Sequence, residues 1–384
     1  MIKGWIGIDG HVFDVVIIGG GLTGLTAAVF LAQGGKRVAV LEKGKGFGGR
    51  AVTKEMAGSY FNLGPHAFYK KGVAARVLRE LGIKLEGGSP STKGAIYVEE
   101  QKFQLPGTMM DLFRTKLLTW KEKREFVSLL MNIQRMNPQN FYNQTIQQWV
   151  ETRLKSKRNQ ELFYAFCRLA SYINAPTIAN AGVILRQLKT SLNGAVYVDG
   201  GWQTIIDQLK EKAEKLGVVL LNNCKVEQVD MHEEVKVISL TKVGGQKKIG
   251  AGWVLFTAAP KEILRLVKDI QHTHLGNMLS NSIPVKAACL DVALSRLTEP
   301  QQHFALDFEN SLYYSNHSQA AKLAVNPKHQ VVHVMKYLTP GGNPQPDQVK
   351  TQLAAFLEKN QPGWEVNLVA QRYIPHLIVT GRRG

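Results

Sequence analysis

Three spaced glycines in residues 19–24 (GGGLTG) form G-x-G-x-x-G, a loop pattern that can hold a pyrophosphate. Gly19 permits a tight turn, Gly21 lets the main chain approach the phosphates, and Gly24 lets the next helix pack closely. Glu42 follows the next apolar run, and its carboxylate can accept hydrogen bonds from ribose hydroxyls. Because a negative charge there disfavours a 2′-phosphate, the pattern predicts a dinucleotide other than NADP.

The elements around this loop support the same interpretation. Residues 13–18 (FDVVII) predict a short buried strand, residues 25–32 a helix, and residues 37–41 (RVAVL) a second strand that ends at Glu42. The amino terminus of such a helix directs unpaired N–H groups at bound phosphates. A strand, turn, helix and strand in this order distinguish a dinucleotide site from a glycine-rich loop of another fold. The predicted fold class is therefore α/β.

A second glycine-rich loop, residues 43–50 (KGKGFGGR), follows Glu42 directly. Backbone N–H groups around Gly49 can face the phosphates. Arg50 carries a planar fork of donors that can reach back to the pyrophosphate. The two loops together predict that the pyrophosphate is bound from two sides.

The run from residue 13 to residue 50, continued by residues 61–66 (FNLGPH), resembles the FAD-binding signature of a flavoprotein superfamily. This superfamily contains the flavin monoamine oxidases, protoporphyrinogen oxidases and phytoene desaturases. Its members carry G-x-G-x-x-G, the ribose-binding Glu and the G-G-R loop in this order, followed by D-x-G, where this chain has Asn62 in place of the acid. The resemblance implies that the cofactor is FAD.

A later stretch is similar to the second FAD-contacting segment of the phytoene desaturase-like branch. Residues 197–202 (YVDGGW) precede a predicted helix at 203–216, and apolar runs then predict strands at 218–221, 225–229, 235–240 and 253–258. In that branch the main chain around the position matching Val226 meets the adenine. A glycine turn before an ordinary amphipathic helix explains the same residues, so both interpretations stay open.

Residues 112–133 mix large apolar residues with Arg and Lys and predict a basic amphipathic helical region. One interpretation is a helical cap whose apolar stripe packs on its own domain. The other is a face that rests on anionic lipid and admits an apolar substrate. Residues 304–338 predict strands of a substrate-domain sheet and resemble the phytoene desaturase-like branch more than the amine oxidases.

The predicted architecture is a Rossmann-like FAD-binding domain with a second, mixed α+β substrate domain inserted between its segments. The FAD-binding domain takes residues 12–95 and 195–265, and the substrate and cap domain takes residues 96–194 and 266–384. The family closes its cofactor site with a Gly-Asp segment and a helix near the carboxyl terminus. This chain contains no Gly-Asp dipeptide, so we expect it to lack one strand and one helix of that fold.

Composition bounds the remaining classes. The 384 residues carry a formal net charge of +18, with 44% hydrophobic and 20% charged residues, as in a soluble globular protein with a positive surface. Three dispersed cysteines predict a reducing, cytoplasmic location, with peripheral membrane contact as an addition. His272 and His274 lack a third ligand nearby, and no nucleic-acid-binding motif occurs, so we expect neither a metal site nor a nucleic-acid partner.

The resemblance implies an FAD-dependent oxidoreductase that abstracts a hydride from a C–H bond of a small apolar, polyene or carotenoid-like substrate. Two alternatives stay open: an amine oxidase-type flavoenzyme, and a truncated non-catalytic relative that does not hold FAD. The sequence assigns no catalytic acid, base or nucleophile. His66, which follows the cofactor motifs, and Lys336, on an expected cavity strand, are the first candidates.

Overall fold

A computed structural model describes residues 12–91, 93–231, 234–242 and 245–383 of the chain, with side chains described as far as residue 379. Helices and strands alternate through the first third and the last half of these residues, and the stretch between them is helical. No helix in the described ranges has both the length and the apolar character needed to cross a bilayer.

The helices, numbered in chain order, are α1 (Leu22–Gln33), α2 (Val73–Glu80), α3 (Met109–Arg114), α4 (Trp120–Arg135), α5 (Ile146–Glu151), α6 (Lys157–Ser171), α7 (Ala181–Ser191), α8 (Gln203–Lys215), α9 (Pro260–Leu266), α10 (His274–Ser280) and α11 (Pro346–Asn360). The strands are β1 (Phe13–Ile18), β2 (Val38–Leu41), β3 (Thr53–Met56), β4 (Ser59–Asn62), β5 (Phe68–Tyr69), β6 (Gly87–Gly88), β7 (Ala95–Val98), β8 (Gln101–Gln104), β9 (Ala195–Val198), β10 (Val219–Leu221), β11 (Lys225–Asp230), β12 (Lys236–Lys242), β13 (Gly245–Phe256), β14 (Ser282–Leu294), β15 (Phe304–Asp307), β16 (Leu312–Asn316), β17 (Gln330–Tyr337) and β18 (Leu368–Arg383).

A six-stranded sheet carries the glycine loop predicted from the sequence. Its order is β10-β2-β1-β13-β12-β11. Strands β10, β2, β1 and β13 pair in parallel, whereas β12 pairs antiparallel with β13 and β11 pairs antiparallel with β12. Helices α1 and α8 pack on the face that buries Val15 and Ile17, and the opposite face buries Val16 and Ile18. Burial on both faces is why β1 is apolar throughout. The α/β fold class is confirmed.

A seven-stranded sheet, ordered β18-β14-β17-β16-β15-β7-β8, forms the second layer. It is antiparallel except where β15 pairs with β7. Helix α11 packs on one face, and helices α4 to α7 pack on the other, against residues that include Cys289 and Met335. The strands predicted within residues 304–338 are β15, β16 and β17. The division of the chain into two domains at the predicted boundaries stays a prediction.

The basic amphipathic region predicted at residues 112–133 is helical and consists of two helices, α3 and α4. Residues 115–119 interrupt it because Thr119 caps α4: its side chain accepts a hydrogen bond from the Glu122 N–H, and the Glu122 carboxylate accepts one from the Thr119 N–H. Leu117 and Leu118 are buried and anchor this turn to the protein core. The helical periodicity identified the region, and the cap decided where its second helix begins.

Two large apolar side chains of β13, Trp253 and Leu255, are exposed to solvent. They pair in register with Val15 and Ile17 and therefore lie on the same face of the six-stranded sheet, beyond the area that α1 and α8 cover. Among the described strands, β18 forms an edge of the seven-stranded sheet.

Candidate functional site

The turn between β1 and α1 is tight because two of its glycines have no room for a side chain. Gly19 has φ +114°, a conformation that favours glycine, and the Thr257 hydroxyl donates to its carbonyl at 2.9 Å. A Cβ on Gly24 would lie 2.0 Å from the Gly19 carbonyl oxygen and 3.0 Å from the Thr257 hydroxyl oxygen. The helix therefore leaves the strand at a distance that only glycine allows.

The amino terminus of α1 is free of side-chain caps. Gly21 is the N-cap residue, no side chain bonds to the first-turn N–H groups, and the first turn contains no acid. A Cβ on Gly21 would meet nothing closer than the Gly48 carbonyl oxygen at 3.7 Å, so the main chain is open to a close neighbour. Uncapped N–H groups at the positive end of a helix dipole suit an anion.

The second glycine loop lies directly against the first. The Gly48 N–H donates to the Gly20 carbonyl at 2.8 Å, and Gly21 and Gly48 form a parallel β-bridge. Gly49, with φ +57°, would place a Cβ 3.4 Å from the Gly21 Cα. The structure thus brings Gly21 and Gly49, which come from separate motifs, to the same place.

Glu42 lies between the two loops. Its carboxylate accepts the Gly20 N–H at 2.8 Å and the Gly44 N–H at 2.7 Å, one on each oxygen. Each oxygen retains a lone pair that can accept a hydroxyl donor. The side chain is therefore fixed at the end of β2, beside the turn that would hold a pyrophosphate.

Two predicted contact residues are engaged by protein groups in this structure. Arg50 donates from Nη1 to the Val379 carbonyl in β18. The Val226 carbonyl accepts a hydrogen bond from Arg265 Nη2 at 3.2 Å. The proposed contacts of Arg50 with a pyrophosphate and of Val226 with an adenine stay predictions.

Replacing Arg50 with Ala should weaken FAD binding about tenfold, because a hydrogen bond to a charged group contributes about 1.5 kcal/mol or more. Titration of the apoprotein with FAD, followed by flavin fluorescence, measures the change. Arg79→Ala, an exposed arginine on α2, is the matched control. Equal affinities of the Arg50 and Arg79 variants would refute the role given to this loop.

Asn62 occupies the position where the resemblance places an acid, and its amide ties three segments together. Its Oδ1 accepts the Thr53 hydroxyl at 2.7 Å and the Trp202 N–H at 2.9 Å. Its main-chain carbonyl accepts a hydrogen bond from Arg372 Nη2. A neutral amide oxygen serves as the acceptor here, so the site holds its shape without a second acid.

The sequence did not identify a buried charged cluster that supports this segment. Asp291 is fully buried and accepts hydrogen bonds at both oxygens, at 2.7 Å from the His333 Nδ1 and at 2.6 Å from the Arg372 Nη2. Burial acts to raise the pKa of Asp291, but the adjacent His333 and Arg372 outweigh it, so the pKa lies below its ordinary value. The carboxylate is therefore ionised at neutral pH, and each of its oxygens accepts a hydrogen bond from a cationic or imidazole group of the protein.

A signal for this cluster was present in the sequence. Asp291 interrupts the apolar run 287–294 (AACLDVAL), and a charge within a buried strand requires partners. The partners could not be named, because they come from two other strands, β17 and β18.

His66 lies beside this segment, and its hydrogen bond with Gly64 determines which ring nitrogen carries a hydrogen. Its Nδ1 lies 3.0 Å from the Gly64 carbonyl oxygen, which can only accept, so Nδ1 carries the hydrogen and the Nε2 of a neutral ring is an acceptor. Burial lowers the pKa of His66, which keeps the ring neutral at pH 7. Its ring packs edge-on against Trp202, with centroids 4.7 Å apart.

Lys336, the second candidate, does not lie with His66. It pairs with Ala288 in β14, on the sheet face that α11 covers, whereas His333 and Met335 point to the opposite face. Its ammonium group donates to the Asn310 carbonyl at 3.0 Å. Lys336 was a candidate because it lies on an expected cavity strand, but the alternation of side chains along β17 directs it to the face opposite His333, away from His66.

The residues at this site fit the ADP part of a dinucleotide. They provide an uncapped helix terminus at Gly21, a backbone loop at Gly49 and a carboxylate at Glu42, which lie next to one another where the two glycine loops meet. These are the groups that pyrophosphate and ribose recognition require.

A family model described as flavin containing amine oxidoreductase matches residues 22–276. The chain belongs to this family. The match covers Gly24, Glu42, Gly49, Arg50 and Val226. Flavin binding is a property of this family, and oxidoreductase is its general class.

Curated relatives of the flavin-containing amine oxidoreductase family include both desaturases and amine oxidases. The carotenoid 3,4-desaturase of Haloarcula japonica is 26% identical over 58% of this chain and 51% of its own length. The "Probable flavin-containing monoamine oxidase A" of Dictyostelium discoideum is 27% identical over 52% of this chain and 48% of its own length. The 15-cis-phytoene desaturase of Solanum lycopersicum is 22% identical over 84% and 60%. The chain thus spans about half the length of the curated relatives that it matches.

Solved structures share the fold. An oxidoreductase from Methanosarcina mazei superposes with a TM-score of 0.73 at 17% identity, over 94% of this chain and 87% of that one. Putrescine oxidase superposes with a TM-score of 0.75 at 14% identity, over 94% of this chain and 84% of the putrescine oxidase chain. At these identities the likeness establishes the architecture and leaves the substrate open.

Proposed function

We propose that this chain binds FAD where residues 19–24 meet residues 42–50 and uses it to oxidise an apolar substrate by removing a hydride from a C–H bond. One observation carries the proposal: the uncapped terminus of α1 lies against the second glycine loop, with Glu42 between them. Membership of the flavin-containing family supports it. The activities of the relatives belong to proteins about twice as long as the segments matched here.

Each cofactor-binding residue has a separate task in this proposal. Amides at the start of α1 and around Gly49 would bind the pyrophosphate, with Arg50 leaving Val379 to add its charge. Glu42 would accept the ribose hydroxyls, and the main chain at Val226 would meet the adenine. When bound, FAD would supply the acceptor for the hydride.

Apolar and aromatic groups pack closely around Gly64 and Pro65. Gly64 has φ +75°, and a Cβ on it would lie 2.9 Å from both the Cys289 sulfur and a Leu377 methyl carbon. The Tyr172 hydroxyl donates to the Pro65 carbonyl at 2.8 Å. We place an apolar substrate beside this cluster, because its apolar and aromatic side chains are of the kind that contact a polyene chain.

Tyr172 adds a second reason to place the substrate here. It adopts φ +63° at the end of α6, a left-handed conformation that is unusual for a bulky residue. Strain of this kind concentrates at functional sites. The tyrosine ring packs edge-on against Tyr337, with centroids 6.1 Å apart, so the strained backbone positions an aromatic pair beside Pro65.

Desaturation removes one hydrogen with its electron pair and a second as a proton. Bound FAD would supply the hydride acceptor, and the proton would need a base from the protein. We assign this role to the Nε2 of His66, because its Nδ1 hydrogen is committed to Gly64 and the neutral ring leaves Nε2 with a lone pair.

Amine oxidation is the second candidate function. The monoamine oxidase relative and the fold shared with putrescine oxidase favour it. Against it, the Asp291 carboxylate is already bound by His333 and Arg372 and so is not free to hold a substrate ammonium group. The third alternative, a relative that does not retain FAD, is tested by the same experiment.

Purified protein, reconstituted with FAD, should show flavin absorbance and lose it under anaerobic conditions when 15-cis-phytoene is added in detergent. A new conjugated double bond in the extracted product, seen by its absorbance, completes the observation. Putrescine provides the comparison. Bleaching by putrescine alone would assign the protein to amine oxidation, and the absence of any flavin absorbance after reconstitution would refute the enzyme proposal.

A further inference from the structure

We propose that the corner formed by α3 and α4, residues 109–124, docks on a membrane leaflet containing anionic lipids. Four large apolar side chains are exposed there: Met109, Met110, Phe113 and Trp120. Trp120 is 72% exposed and Met110 is 58% exposed. A cluster of this kind on a protein surface indicates an interaction site.

The four side chains form one continuous patch. Met109 and Met110 precede Phe113 by four and three residues on α3, so the three share a helix face. The Phe113 ring lies 6.1 Å from the Trp120 ring, across the break between the helices. The patch therefore spans both helices.

Buried and polar groups hold the corner together in addition to the contact between Phe113 and Trp120. Buried Leu117 and Leu118 fix the turn, and the capping box of Thr119 and Glu122 fixes the start of α4. The buried Lys123 donates from Nζ to the Phe113 carbonyl at 2.8 Å, which joins the two helices. Trp120 also lies against the Lys123 ammonium group, 4.9 Å from the ring centroid. The contacts within the protein nevertheless leave much of the surface of the four apolar side chains exposed, and this exposure requires another explanation.

The charges around the patch are complementary to an anionic surface. Four exposed cations surround it: Arg114, Lys116, Lys121 and Arg124. None of these forms an ion pair with an acid in the described part of the chain. The acids of the same segment accept hydrogen bonds from uncharged groups of the protein. Asp111 accepts from the Gln104 and Thr108 side chains, and Glu122 accepts from the Thr119 main chain and the Ser156 hydroxyl. Glu125 accepts from the main-chain N–H of Lys155 and from the Asn159 side chain.

An apolar centre with a basic rim fits a lipid leaflet better than a second copy of this chain. Acyl chains would receive the aromatic and methionine side chains, and each nearby Lys or Arg attracts the anionic headgroups. A second copy would bring another strongly positive surface to the same place, since the chain carries a net charge of +18. Docking here would place the protein where apolar molecules dissolve, although it does not depend on the flavin proposal.

Vesicle flotation tests the proposal with phosphatidylcholine vesicles, with or without phosphatidylserine. We expect the protein to float with the vesicles that contain phosphatidylserine and to be released by salt. The Phe113→Ser/Trp120→Ser variant and the Lys116→Glu/Lys121→Glu variant should each bind at least about tenfold more weakly. Flavin absorbance, recorded for every variant, reports separately on the cofactor site.

Matched controls use residues of the same types elsewhere on the surface. Trp253→Ser changes a tryptophan that is 76% exposed, and Lys328→Glu/Lys350→Glu reverses two other exposed charges. The proposal is overturned if the protein ignores anionic vesicles, if it binds neutral ones equally well, or if the controls bind as weakly as the corner variants. It is also overturned if the corner variants only convert a dimer into a monomer. Vesicle binding by a protein without flavin would support docking while refuting the enzyme proposal.

Discussion

The Gly24→Ala variant should lose FAD almost completely. The added Cβ would lie 2.0 Å from the Gly19 carbonyl oxygen, so α1 must move away from β1. That movement displaces the N–H groups that are expected to bind the pyrophosphate. Inserting a carbon into such a contact costs up to about 3 kcal/mol, which corresponds to about a hundredfold in affinity. Equilibrium dialysis against FAD measures the loss.

Gly34→Ala is the control for this variant. Gly34 ends the same helix with an ordinary φ of −81°, and a Cβ there would be 3.4 Å from its nearest neighbour, the Leu31 carbonyl oxygen. We expect its FAD affinity to match that of the unchanged protein. If Gly24→Ala binds FAD as well as Gly34→Ala does, the turn does not form the cofactor site.

The Asp291→Asn variant should be the least stable of the single substitutions considered. The amide keeps the shape of the carboxyl group but removes the charge that neutralises the guanidinium of Arg372 and receives the bond from His333. Removing one member of a buried ion pair costs about 3–5 kcal/mol. Urea denaturation, followed by tryptophan fluorescence, gives the change in unfolding free energy.

The pH dependence has a definite sign. Because the folded state lowers the pKa of Asp291, its stabilisation is complete above the ordinary value of 3.8 and is lost as the pH falls below it. The difference between the unchanged protein and Asp291→Asn should therefore shrink in acid. Asp14→Asn, at an exposed ion pair with Arg37, should destabilise the protein far less, because solvent screens that pair. A loss equal to that of Asp291→Asn would show that burial is not the cause.

The cofactor half of the site could be predicted because its parts are close in the sequence. The turn at Gly19, the close packing at Gly24 and the acid at Glu42 belong to one strand, helix and strand unit. Each role depends on the backbone or on a single carboxylate rather than on distant side chains. The limits of β1 also followed from the local sequence, whereas α1 begins at Leu22, three residues before its predicted start.

The other half depended on pairing between distant strands. Asp291 is 42 residues from His333 and 81 from Arg372, and only the register of β14 with β17 and β18 brings the three together. The same register turned Lys336 to the opposite face from the candidate site. A shift of one residue in a strand exchanges its two faces, so composition could not decide either point.

For this protein, the order of residues by itself determined the family, the α/β class and the grip expected on a dinucleotide. Tertiary structure decided which charged side chains support Asn62, which candidate base remains beside Gly64, and which apolar side chains stay exposed at the α3–α4 corner. The physical reason is the distance along the chain between the residues that interact. A turn and its helix are specified by neighbouring residues, whereas the partners of a buried charge and the surface left uncovered depend on how the completed layers pack.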